Sequence, residues 1–183
     1  MNKIIDQTFK VAIYLRLSKE DDDLSCSSGA KSESNSISNQ RKLIYDFMKS
    51  HPELELYDEY KDDGKSGSNF DRAEFQRMMK DIEAGKVNCV IVKDQSRFGR
   101  DYIDVGKYKE KIFPKLGVRF ITINEGYDSL SATSSDDLAF TINSFVYDFY
   151  IRDISTKIRT NLTAKKQNGE YAGAFVAYGY VKD

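Results

Sequence analysis

Val87-Asn88-Cys89-Val90-Ile91-Val92 is the stretch that most narrows the fold. A short run rich in β-branched residues reads as a parallel strand buried on both faces, and such a strand needs a neighbour on each side and a helical layer above and below. The rest of the chain supplies these by alternation. Strands are expected at Lys10 to Leu17, Leu54 to Tyr60, Val87 to Lys93 and Gly117 to Asn124, with helices at Ile37 to Lys49, Asp71 to Ala84 and near Tyr102 to Lys115. Asp71-x-x-Glu74 resembles a capping box at the start of the second helix, and Gly85 stops it. Glu125 to Ser135, rich in Ser, Gly and Thr, reads as a loop. The pattern predicts an α/β domain of three layers, with a mainly parallel central sheet flanked by helices.

Polar chemistry gathers where the strands end. Side chains alternate across a strand, so Tyr14, Arg16 and Ser18 share one face, while Ile13, Leu15 and Leu17 turn the other way into a core. A serine beside a guanidinium suits attack on an anionic centre such as a phosphodiester. After the third strand comes Lys93-Asp94-Gln95-Ser96-Arg97-Phe98-Gly99-Arg100-Asp101, in which Arg97 and Arg100 could meet one phosphate if the segment turns into the following helix. Asp63-Gly64-Lys65-Ser66-Gly67 leads through a turn-rich loop to Arg72 at the first turn of a helix. In open α/β sheets ligands bind outside the carboxyl ends of the strands, so three arginine-bearing segments after three strands predict one convergent anionic site.

The end of the chain carries a different signal. From Asp136 to about Gln167 no Gly or Pro interrupts, and Leu138, Ile142, Phe145, Phe149, Ile154, Ile158 and Leu162 recur at helical spacing. A helix of about 30 residues would span roughly 45 Å, more than the core of such a domain requires. Its apolar stripe is expected to pack against a second subunit, the other option being a helix folded back on its own sheet.

Tyr14-x-Arg16-x-Ser18, Asp63-x-x-Ser66-Gly67 followed by Arg72, and Ser96-Arg97-Phe98-Gly99-Arg100-Asp101 together resemble the catalytic domain of the serine recombinases, the resolvase and invertase family. The long form of the third motif and the terminal Tyr178-Gly179-Tyr180 look most like the large serine recombinases of conjugative transposons. The resemblance implies a resolvase-like fold with a long C-terminal helix. It also implies a site-specific recombinase of integrase or transposase type, cutting and rejoining DNA through a covalent phosphoserine intermediate.

Position by position, Ser18 matches the nucleophile, and Arg16, Arg72, Arg97 and Arg100 match the arginines that bind the scissile phosphate. Gln40 matches the glutamine early in the first helix, Asp63 the acidic residue before the Ser-Gly turn, and Tyr14 the tyrosine that opens the first motif. Two positions depart from the pattern. Ser96 stands where small resolvases carry aspartate, and Gln95 where the large subgroup has an apolar residue. The family comparison divides the chain into a catalytic core at 1–135, a dimerisation and DNA-contacting helix at 136–168, and at 169–183 a linker and the start of a truncated DNA-binding domain. On this reading Arg159, Lys165 and Lys166 run along the minor groove of double-stranded DNA. The protein would work as a homodimer or homotetramer and leaves room for a directionality factor.

No cofactor or metal is expected, because arginines can stabilise a phosphoryl-transfer transition state by charge and position alone. The only histidine, His51, sits before Pro52 in a polar turn and is expected at the surface. The chain of 183 residues has a net charge of −1, with acid at Asp21-Asp22-Asp23 and Asp58 to Asp63 and base at Lys107 to Lys115 and Lys157 to Lys166, so DNA would approach the basic side. Without an apolar stretch long enough to span a bilayer, and with Cys89 in a buried strand and Cys26 in a polar loop, an intracellular location is expected, and the resemblance implies the bacterial cytoplasm in association with the nucleoid. Two other classes compete. A metal-dependent nuclease or phosphatase would use Asp21, Asp22 and Asp23 with Asp62 and Asp63; a non-catalytic dimerisation and DNA-binding module would leave Ser18 dispensable.

Overall fold

The computed structural model describes residues 8–17, 35–62, 72–99 and 101–170. The chain divides into two compact units, Met1–Phe145 and Val146–Asp183. In the first, strands β1 (Phe9–Arg16), β2 (Leu54–Asp62), β3 (Cys89–Val92), β4 (Arg119–Thr122) and β5 (Tyr127–Asp128) form one sheet in the order β2-β1-β3-β4-β5. The first four strands are parallel, and the short β5, which falls within the expected loop, pairs antiparallel with β4.

Helix α1 (Asn35–Lys49) covers one face, where Ile37 and Ile44 pack with Val11, Ile13, Leu15, Cys89, Ile91 and Ile121. The other face is covered by α2 (Ala73–Glu83), α4 (Tyr102–Lys107) and α5 (Phe113–Leu116), through Phe75, Met78, Ile82, Val105 and Phe113. This is the expected three-layer arrangement. The Tyr14 face of β1 meets a second core: Tyr14 is fully buried and Arg16 is 1% exposed.

A single extra residue in β2 decides what reaches the site. Leu56 pairs with Val11 and Asp58 with Ala12, so Tyr57 is bulged out of the ladder. Side chains along a strand have a period of two, so one inserted residue moves everything after it to the opposite face. Leu54, before the bulge, packs on the α1 side, whereas Tyr60, after it, packs on the α2 side. Asp62, two residues further, shares the face of Tyr60 and Tyr14.

Between α4 and α5 the helix expected from Tyr102 to Lys115 is interrupted by a π-helical turn, Tyr108–Ile112. Lys109 in this turn is buried, its ammonium 2.7 Å from the Asp137 carboxylate and 4.9 and 4.8 Å from the ring centres of Tyr127 and Phe140. The Tyr127 hydroxyl donates to the same carboxylate at 2.9 Å. These contacts tie the first turns of α6 (Ser134–Gln167) to the domain. Within those turns Phe140 and Ser144 are buried, while Leu138, Ile142 and Phe145 are exposed. Phe149, Ile154, Ile158 and Leu162 further along α6 are exposed as well. The apolar stripe read from the sequence is therefore largely exposed, with Phe145 edge-on to the Tyr102 ring at 5.8 Å, and a different pair of residues, four apart, anchors the helix. Among the described residues no helix is long and apolar enough to cross a membrane.

Candidate active site

The sheet changes winding direction at β1, with β2 added on one side and β3 on the other. The crevice between the carboxyl ends of β1 and β3 is where such sheets receive ligands. The segment after β3 forms one helical turn, α3 (Gln95–Phe98), which the sequence left unassigned. Asp94 caps it: its carboxylate accepts from the Arg97 N–H at 3.1 Å and from the Ser96 hydroxyl at 2.6 Å. Asp94 thus occupies the capping role that Asn, Asp and Ser favour, and Ser96 is drawn into the cap rather than pointing into an open crevice.

Arg16 joins the two strand ends. Its guanidinium donates from Nε to the Arg97 carbonyl at 3.0 Å, from Nη2 to the Ser96 carbonyl, and from Nη1 to the Leu17 carbonyl at 3.3 Å. The last carbonyls of a helix have no partner inside it, and a buried guanidinium fork is well matched to adjacent oxygens. Gln40 holds the backbone of the same residue, accepting from the Arg16 N–H at 3.4 Å and donating to the Arg16 carbonyl at 3.2 Å. Arg97 reaches back to that carbonyl through Nη1 at 3.3 Å, and its Nε lies 3.9 Å from Asp94.

Arg72 completes the frame from the start of α2. It donates to the Tyr14 hydroxyl at 2.6 Å and to the Phe98 carbonyl at 2.9 Å, with its guanidinium 5.3 Å from the centre of the Phe75 ring. The Tyr14 hydroxyl in turn donates to Asp62 at 2.9 Å. Burial pushes the Tyr14 phenol well above its ordinary range; nearby Arg72 lowers it and Asp62 raises it. Tyr14 therefore stays protonated and serves as a link between a cation and an anion.

Of the sequence-derived site residues, Tyr14, Arg16, Gln40, Arg72 and Arg97 meet in this one place. Ser18, Asp63 and Arg100 lie outside the described residues. Arg16 and Arg72 are both 1% exposed, whereas the Arg97 side chain keeps 15% of its surface. All three guanidinium groups are engaged with carbonyls or the Tyr14 hydroxyl, and of the three Arg97 is the most open to an approaching anion. His51 is half-buried at the turn before β2, stacked on Phe47 at 4.1 Å, at the opposite end of that strand from Asp62.

Asp62 is the residue that the sequence reading missed as part of this assembly. Its carboxylate accepts from Tyr14 and from the backbone N–H groups of Glu74 and Phe75, at 3.2 and 3.0 Å. The cap of α2 thus comes from a neighbouring strand; Arg72, at the N-cap position, makes no side-chain cap bond. The proposed capping residue Asp71 lies outside the described residues. Pairing of Tyr14 with Tyr60 and Arg16 with Asp62 would have pointed to Asp62, but only with the Tyr57 bulge already known. Asp62→Ala leaves two helix-start donors and a buried hydroxyl without their acceptor, so it should cost about 2–4 kcal/mol of stability. Denaturant unfolding measures this, and a loss below about 1 kcal/mol would show that Asp62 is not the cap.

The sequence of residues 11–171 matches the family described as Resolvase, N terminal domain. The chain belongs to the resolvase family of serine recombinases. Two solved structures support the assignment from the fold. The N-terminal catalytic domain of TP901-1 integrase is 27% identical, with a TM-score of 0.58, over 78% of this chain and 97% of that one. A resolvase family site-specific recombinase from Streptococcus pneumoniae is 27% identical, with a TM-score of 0.54, over 87% of this chain and 99% of that one. A comparison with curated proteins finds no match. The protein is a serine site-specific recombinase whose partner is DNA, and the cluster at the ends of β1 and β3 is its candidate active site.

Proposed function

We propose that the recombinase cuts and rejoins double-stranded DNA by attack of the Ser18 hydroxyl on a phosphodiester. The Ser18 Oγ–P bond forms as the bond from phosphorus to one deoxyribose oxygen breaks; the serine proton leaves to solvent and the departing oxygen is protonated. The released hydroxyl of the partner strand then attacks the phosphoserine and restores both groups. Arg97 and Arg100 receive the phosphate, and Arg16 and Arg72 join them by exchanging a carbonyl bond for a phosphate bond. Gln40, Tyr14 and Asp63 orient this group. The observation that carries the reading is the Arg16 guanidinium on the carbonyls of Ser96 and Arg97, which draws two distant arginine-bearing motifs into one site. Such preorganised donors are worth about 3–4 kcal/mol each where charge develops.

The direct test is to incubate the recombinase with a supercoiled plasmid carrying the DNA that flanks its gene, quench, and map the adduct by mass spectrometry. A phosphodiester-linked nucleotide on Ser18 is expected; an adduct on another residue, or cleavage without an adduct, refutes the reading.

The finer organisation follows the same family pattern: a catalytic core at 1–135, a helix at 136–168 and a linker leading toward DNA-binding elements at 169–183. Arg159, Lys165 and Lys166, all exposed, lie along the minor groove, where cations displace condensed counterions. The element served is a conjugative transposon, the site of action is nucleoid DNA in the bacterial cytoplasm, and a directionality factor sets the outcome. The exposed Leu138, Ile142, Phe145 and Phe149 form the contact between subunits, dimeric at rest and tetrameric in the active complex. Phe145→Glu with Phe149→Glu should therefore shift sedimentation to monomer with an unchanged circular dichroism spectrum. Loss of fold instead would mean that these residues serve the domain's own core.

A further inference from the structure

Gln95 is a polar side chain in an aromatic core. It is 1% exposed, and its Oε1 is buried with no hydrogen-bond partner among the described residues. Its Nε2 donates to the Phe140 carbonyl of α6 at 3.4 Å, and its backbone N–H donates to Glu125 Oε1 at 3.1 Å. Its own carbonyl accepts from the Gly99 N–H at 3.1 Å, closing the α3 turn. A buried amide with one long hydrogen bond lowers stability relative to an apolar side chain of similar volume, and an incompletely satisfied buried group calls for a functional explanation.

The neighbours supply one. α3 presents Arg97, and its carbonyls hold Arg16 and Arg72. On the other side Phe140 lies in the turns of α6 that Lys109 and Asp137 anchor. A second route runs beside the amide, from Phe98 in α3 to Phe120 at 5.0 Å and on to Phe140 at 6.2 Å. The carrier of the arginine cluster and the first turns of the long helix are thus joined by one amide and one aromatic stack.

We propose that Gln95 is a positioning residue of the recombination reaction, its amide fixing the α3 turn to the Phe140 carbonyl so that the setting of Arg97 follows the start of α6. The inference rests on the reading of the arginine cluster as the active site. Gln95→Met keeps the volume, removes the donor and relieves the unpartnered oxygen. Bridging contacts of this kind modulate coupling by about five- to tenfold.

The experiment compares wild type, Gln95→Met and Ser18→Ala as the full chain on the same plasmid carrying the DNA that flanks the gene. Denaturant midpoint, DNA affinity and hydrogen exchange of the α3 amides are followed alongside adduct formation. For Gln95→Met the expected result is an equal or higher midpoint, unchanged DNA affinity, adduct formation slowed about five- to tenfold and faster exchange at Arg97 and Gly99. A purely structural role predicts the reverse split, a lower midpoint with a rate that recovers wherever the variant is folded, and would overturn the proposal. Unchanged exchange at α3 would overturn it too, without any DNA. Adduct formation that survives Ser18→Ala would instead place the fault in the active-site reading.

Discussion

Ser18→Ala is expected to abolish DNA cleavage, lowering adduct formation by about 10⁴-fold or more, since loss of a covalent nucleophile leaves only binding and charge stabilisation. One hydroxyl is removed, and the hydrogen bonds between Arg16 and Gln40 do not involve it. Stability should therefore change by no more than about 0.5 kcal/mol. DNA affinity should hold as well, because phosphate contacts come from cations rather than from a serine. The measurement is a time course of plasmid nicking and adduct formation beside wild type, with a filter-binding control. Nicking at the normal rate by a folded Ser18→Ala protein would end the assignment of this serine.

Arg97→Lys should give the next largest loss, about 10²- to 10³-fold in cleavage, the scale found when one preorganised donor is removed from a developing oxyanion. Arg97 already uses Nη1 on the Arg16 carbonyl at 3.3 Å, so it serves two acceptors only because its donors are spread over a planar fork. Lysine offers a point charge and can satisfy one acceptor at the expense of the other. The domain should remain folded, since Arg97 keeps part of its surface. Arg16→Lys and Arg72→Lys differ in kind. Each removes bonds to α3 carbonyls from a residue that is 1% exposed, so activity should fall together with about 2–4 kcal/mol of stability. A chelator should leave wild-type cleavage unchanged, because arginines do the work of a metal in this mechanism. Strict Mg²⁺ dependence, or an Arg97→Lys protein as active as wild type, would favour acid-based metal chemistry instead.

Much of the fold was legible in local patterns. Short apolar runs interleaved with helix-period segments require a covered parallel sheet, since strands such as Cys89–Val92 are apolar on both faces. The same alternation put Arg16 at the end of one strand and Arg97 after its neighbour, and the motif order identified the family. The long helix was legible because nothing between Asp136 and Gln167 breaks it. These features depend on residues close together in the chain, where propensity and periodicity act.

What the sequence left open depends on pairing between distant segments. The bulge at Tyr57 turns Tyr60 and Asp62 toward Tyr14, and no local preference marks it. Asp62 caps a helix that begins at Ala73, Lys109 is buried in a π-helical turn against Asp137, and Gln95 meets a carbonyl 45 residues away. Even the arginines take their immediate partners from the assembled sheet: Arg16 and Arg72 lie on the carbonyls of α3. A buried polar group must find a partner wherever the packed chain provides one. The sequence thus determined which chemical groups arrive at the strand ends, and only the tertiary structure, through register and the satisfaction of buried donors and acceptors, decided which of them touch.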